Sequence, residues 1–228
     1  MPPVDERFLD KPDAVVPGVE LADYLKSGQA LLRLEDPMYL TKARFERLCQ
    51  IPALNSLVPM RPTPVLQRLH ELTKLAFDHA LERSPTSADA MDGVGRVALL
   101  AGDVPKAIAA FERAATQDPT NPEHLFGQFE AVFALRTSER LSRSEKVLGQ
   151  LDELAPLDPR LDVFWGDLHV AYQDYGDAET RYEAAVERVR TSRGVVNNYF
   201  PITRIEDELD ARTLARLVAA ELARMPSR

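Results

Sequence analysis

The stretch GDVPKAIAAFERAATQDP, residues 102–119, constrains the fold more than any other feature of the chain. Ala107, Phe111 and Ala114 stand at i, i+4 and i+7, so they share one helix face. Two alanines flanking a ring let a neighbouring helix come close while the ring fills the gap. Upstream, SADAMDGVGRVALLAG also has helical periodicity, with Gly95 in its interior. A glycine there costs roughly 1 kcal/mol relative to alanine, which is tolerable where a second helix crosses at that point. Gly102-Asp103 supplies the turn and Asp118-Pro119 the stop. The spacing thus predicts a helix–turn–helix pair, a packing module that needs no chemistry of its own.

Met91, Val94, Gly95, Ala98, Ala107, Phe111, Ala114 and Pro119 together resemble the tetratricopeptide repeat (TPR) family, whose 34-residue helix pairs stack into a superhelix. The resemblance covers residues 88–121 and extends to further units. In the next, EHLFGQFEAVFAL is followed by a polar turn and a helix keeping Val147, Leu151, Leu154 and Pro159. Pro159 follows Pro119 by 40 residues rather than 34, so an extended turn is expected. The third unit offers Trp165-x-x-Leu168-His169-x-x-Tyr172 as its first-helix signature, with histidine in place of glycine, and then Ala178, Tyr182 and Ala185. Its turn is three residues short, and His169 is expected to crowd the crossing and splay the pair. Upstream, Phe77, Ala80 and Pro85 match the end of a unit. Helix 64–83, capped by Thr63 with Pro64 at its first position, reads as a second half whose first half is 37–49.

The resemblance implies an all-α fold: a right-handed superhelix of about three helix pairs, with an N-terminal helical extension and a C-terminal capping helix. One pair cannot bury its own apolar face, and roughly three stacked units make a stable core. The expected organisation is an extended arm (1–18), a helical extension with a proline-rich linker (19–63), the solenoid (64–193), and a loop with an amphipathic capping helix (194–228). Gly28 is expected to break the first helix of the extension. The last helix, about 206–225, carries Leu209, Leu214, Leu217, Val218, Leu222 and Met225.

Composition narrows the function. A net charge of −8 argues against nucleic acid, whose phosphates want a basic face. Cys49 is the single cysteine, which fits a reducing compartment. The acidic, proline-bearing start does not read as a signal peptide, and no apolar run reaches membrane-spanning length. A cytoplasmic protein is expected. The excess of arginine over lysine hints at a GC-rich bacterial genome.

No catalytic set is legible, so no enzyme is expected. Gly93-Val94-Gly95-Arg96-Val97-Ala98 matches the dinucleotide fingerprint GxGxxA, but that mechanism needs a strand before it, and SPTSADAMD has no strand character. His70, His79, His124 and His169 form no close ligand pair, and neither cofactor nor metal is expected. The acidic run EDELD, residues 206–210, reads as helix-dipole matching.

What remains is surface. In the family the first helices line a concave groove for a peptide. Carried onto this sequence, the groove positions are Asp89, Asp92 and Arg96 in one unit, Glu123, Phe126, Glu130 and Phe133 in the next, and Val170 in the third. The lysine, arginine and asparagine of the family's carboxylate clamp are missing apart from Arg96. The expected function is a non-enzymatic adaptor or scaffold for a partner segment with basic and apolar residues. In the alternative, the C-terminal helix or N-terminal arm assembles copies of the chain into a homo-oligomer. The bland reading of Phe126 and Phe133 is that both are packing residues.

Overall fold

The computed structural model describes residues 5, 7, 8, 11, 13–35 and 62–191. The described residues form eight α-helices and no strand. They fall into two compact units, Met1–Leu135 and Arg136–Arg228. The expected helix 37–49, Cys49, most of the proline-rich linker, and the loop and capping helix of 194–228 lie outside the described residues.

The first unit holds α1 (Leu21–Glu35), α2 (Pro62–Arg83), α3 (Ala88–Leu100), α4 (Val104–Gln117) and α5 (Pro122–Phe133). Local chemistry sets most of the boundaries. Ser87, Asp103 and Asn121 accept a hydrogen bond from the first-turn N–H groups of α3, α4 and α5, satisfying donors that have no intrahelical partner. Gly102 adopts φ +77° between α3 and α4. There its N–H bonds the carbonyl of Leu99 and that of Asp103 the carbonyl of Ala98, closing the helix end. Helix α2 begins at Pro62, so Thr63 lies inside its first turn rather than capping it.

Gly28 does not break α1. The helix runs through it, and a Cβ there would come within 2.8 Å of the Phe77 ring on α2. The glycine is a crossing point, and α1 is the helix that packs on α2, through a core that includes Tyr24, Leu31, Leu72, Ala76 and Ala80. The signal was present: Tyr24, Gly28 and Leu31 have the spacing of Met91, Gly95 and Ala98. Phe8 and Val19 join this core, Phe8 meets Tyr24 edge-on at 5.8 Å, and the Val16 N–H donates to the Tyr24 hydroxyl at 2.8 Å.

Each second-helix ring in this unit is closed by two glycines. Phe77 fills the space over Gly28 and Gly93; Phe111 fills that over Gly95 and Gly127. One glycine of each pair belongs to the same helix pair and the other to the following first helix. Both rings are fully buried as a result.

The second unit holds α6 (Arg140–Leu154), α7 (Pro159–Ala171) and α8 (Tyr175–Thr191). Val147, Leu148 and Leu151 supply the buried face of α6. The non-helical residues between Phe133 and Arg140 supply the extended turn required by the long Pro119–Pro159 spacing. The sequence register of the third pair is corrected by three residues. The crossing glycine is Gly166, whose Cβ would meet the Tyr182 ring at 2.6 Å, and His169 does not splay the pair. From Gly166 to Ala178, Tyr182 and Ala185 the spacing is that from Gly95 to Ala107, Phe111 and Ala114, so the missing three residues disappear. Trp165 lies beside the crossing, half-buried, and donates its indole N–H to Asp152 at 3.1 Å.

Candidate functional site

Asp92 and Arg96 stand one turn apart on α3, where i and i+4 side chains meet. Arg96 Nε lies 2.6 Å from Asp92 Oδ2. Asn121 and Pro122 start α5 and fix Glu123 and His124 in its first turn. From there Glu123 reaches Arg96 at 3.8 Å, and His124 Nδ1 lies 3.2 Å from Asp92 Oδ1. One network thus links two successive first helices. The Arg96 guanidinium also sits 6.0 Å from the centre of the Phe111 ring, the ring that closes the helix crossing. Burial pulls the Arg96 pKa down, but Asp92, Glu130 and Glu123 outweigh it and hold the guanidinium above its usual value. Arg96 is therefore fixed as a cation among acids.

The structure distinguishes among the sequence-predicted positions. Asp89, in the first turn of α3, and Glu130 on α5 are exposed, and Glu123 is half-buried. Asp92 is largely enclosed between Arg96 and His124, so it braces the helices rather than presenting a charge. Phe126 is only 2% exposed and serves as core. Phe133 is half-buried and stacks on Phe129 at 5.3 Å. Val170, half-buried on α7, belongs to the second unit. His124, 1% exposed, was missed as a member of the network. Its signal was its position 32 residues after Asp92, two short of one repeat.

Other candidate chemistry is taken up by packing. Gly93 and Gly95 of the GxGxxA match lie inside α3 against Phe77 and Phe111, so they form no phosphate-binding turn. At the turn between α7 and α8, the ligating atoms of His169, Asp174 and Asp177 lie within 4.8 Å of one another, on an exposed surface. Among the described residues no helix is long and apolar enough to cross a membrane.

Stacked helix pairs closed by glycine–ring contacts define a class, the helical-repeat solenoids. Within them, a tetratricopeptide repeat family model matches residues 74–122. The fold is similar to that of yeast Tom70, with TM-score 0.53 and 14% identity over 89% of this chain and 40% of the Tom70 chain. It is also similar to TTC0263, a thermophilic TPR protein of Thermus thermophilus, with TM-score 0.51 and 17% identity over 85% of this chain and 99% of that one. This chain thus spans less than half the length of the Tom70 chain it matches. No curated protein matches the sequence. The chain carries a repeat that commonly mediates protein–protein interaction.

Proposed function

We propose that the chain is a non-enzymatic adaptor or scaffold that holds a segment of a partner protein against the first helices α3 and α5. The observation that supports this reading is the network of Asp92, Arg96, Glu123 and His124, which braces two successive first helices with Asp89 and Glu130 exposed on the same elements. With three carboxylates influencing one guanidinium, the face favours a cationic segment over a carboxylate terminus. The partner is a segment with lysine or arginine flanking an apolar side chain. Charge steers its approach, and burial of the apolar residue supplies most of the affinity. Phe133 beside Phe129, rather than the enclosed Phe126, offers the apolar contact. A cytoplasmic setting is part of the proposal, from the single cysteine.

Fluorescence anisotropy tests the reading, using a labelled synthetic peptide with arginines flanking a leucine and an acidic peptide of the same length as control. The basic peptide binds and the acidic one does not. Asp89→Lys with Glu130→Lys slows association and flattens its salt dependence. Phe133→Ala weakens binding by more than about 1 kcal/mol. Equal binding of the two peptides, or wild-type binding by both folded variants, overturns the reading.

A further inference from the structure

The turn between α7 and α8 repeats the backbone of the turn between α3 and α4 but not its side chains. With Gly166 aligned on Gly95, His169, Gln173, Asp174 and Asp177 take the places of Ala98, Gly102, Asp103 and Lys106. The Asp174 N–H donates to the His169 carbonyl at 2.9 Å, as that of Asp103 does to the Ala98 carbonyl at 2.8 Å. Gln173 holds φ +64° where Gly102 holds φ +77°. Asp103 accepts from the Lys106 N–H at 3.3 Å, and Asp174 Oδ1 faces the Asp177 N–H at 3.5 Å. Asp174 therefore takes the capping role. The first turn is built with alanine and lysine at the two other places, so neither the helix crossing nor the helix dipole requires His169 or Asp177.

Those two side chains converge with Asp174. The ligating atoms of all three lie within 4.8 Å of one another. His169 is half-buried in the last turn of α7, Asp177 is exposed in the first turn of α8, and Asp174 is exposed between them. His169 Nδ1 lies 3.9 Å from Asp174 Oδ2. That is too far for a hydrogen bond. It is close to the roughly 3.3–3.6 Å between two ligands of one tetrahedral ion, given metal–ligand distances of about 2.0–2.2 Å. Rotation of the exposed carboxylates closes the remaining gap. Arg181, one turn beyond Asp177, does not neutralise it. Its guanidinium bonds Asp162 at 3.1 Å and sits 5.5 Å from the centre of the Trp165 ring.

We propose that His169, Asp174 and Asp177 form a binding site for a divalent first-row transition ion of the zinc type. The imidazole favours such an ion over magnesium or calcium, which take oxygen ligands. Three protein ligands leave a further position to water. The bound ion ties the end of α7 to the start of α8 and stabilises the second unit by linkage.

Trp165 is the only tryptophan, and its ring centre lies 6.1 Å from that of His169. A paramagnetic ion on that imidazole quenches its fluorescence. The test titrates the full, untagged chain, stripped with EDTA, with cobalt(II), and then adds zinc(II) or magnesium(II). Saturable quenching at one cobalt per chain is expected, reversed by zinc but not by a large excess of magnesium. His169→Ala and Asp177→Lys install the residues of the α3–α4 turn, so both variants keep the fold, which circular dichroism checks. Each should weaken cobalt binding by more than the roughly tenfold that loss of an outer partner of a metal costs. In each, zinc should no longer raise the urea midpoint of the Trp165-monitored transition. Absent or unsaturable quenching, displacement by magnesium as readily as by zinc, or wild-type affinity in either folded variant overturns the proposal.

Discussion

Gly127→Ala isolates the physics that holds the repeat together. A Cβ at position 127 would lie 2.3 Å from Phe111 Cε1, against ordinary contacts of 3.4 Å or more, a shortfall of about 1.1 Å. The ring cannot swing away freely, because it is fully buried with Gly95 on its other side. Alanine gains about 0.5–1 kcal/mol from helix propensity and a less flexible unfolded chain. Overpacking costs about 1–3 kcal/mol, so the net effect is destabilising by up to about 2.5 kcal/mol. Gly149→Ala is the control, since nothing lies within 4 Å of a Cβ there and only the propensity gain remains. Urea unfolding followed by circular dichroism reads both variants, and Trp165 fluorescence follows the second unit separately. Phe111→Leu should make Gly127→Ala less costly than it is alone, a coupling that a double-mutant cycle measures. If Gly127→Ala stabilised the protein as Gly149→Ala does, the ring–glycine crossing would not be what fixes the helix spacing.

The second unit rests on polar contacts that can be tested in the same way. Asp162, 1% exposed, lies 3.1 Å from Arg181 Nη1 and 2.7 Å from Arg188 Nε; both arginines are about a third exposed and can turn to water, so Asp162→Ala should cost about 1–3 kcal/mol, read as the Trp165-monitored transition moving to lower urea. Tyr182 donates its hydroxyl to Asp167 at 2.7 Å, and Tyr182→Phe should cost about 1–3 kcal/mol by removing that donor from a half-buried carboxylate. Burial holds the Asp167 carboxyl above its usual 3.8 while the Tyr182 bond opposes the rise. The folded state therefore binds the proton more tightly, and stability from this group is full at low pH and falls as pH rises from about 3.8 through the raised value. Tyr182→Phe should extend that fall to higher pH, measured as the urea midpoint against pH; a fall ending at lower pH would refute the assignment. Gln173 holds φ +64° at the α7–α8 turn, where the α3–α4 turn uses Gly102, so Gln173→Gly should stabilise by about 0.5–1 kcal/mol in a thermal melt, and a loss would show that its side chain matters more than its backbone.

The sequence by itself determined the helix pairs, because what makes them is local. Proline and cap residues punctuate the chain, and the 3.6-residue period places Ala107, Phe111 and Ala114 on one face. It also held the crossing rule, since Gly95 is followed at fixed distance by its ring. The same rule, applied to Gly166 and Tyr182, would have removed the three-residue error of the third register. Trp165 masked it, because a large ring attracts the signature regardless of what it packs on. Only the tertiary structure decided which neighbour closes each ring. Gly93 and Gly127 meet rings from the preceding pair, and Gly28 meets Phe77 across a separation of 49 positions, a contact that no periodicity within one helix encodes. The same holds at the acidic face. Asp92 and Glu123 are alike as charged helix residues in the sequence. Packing encloses the first between Arg96 and His124 and leaves the second half-buried, because burial depends on what the next helix brings against a face and not on the residue itself.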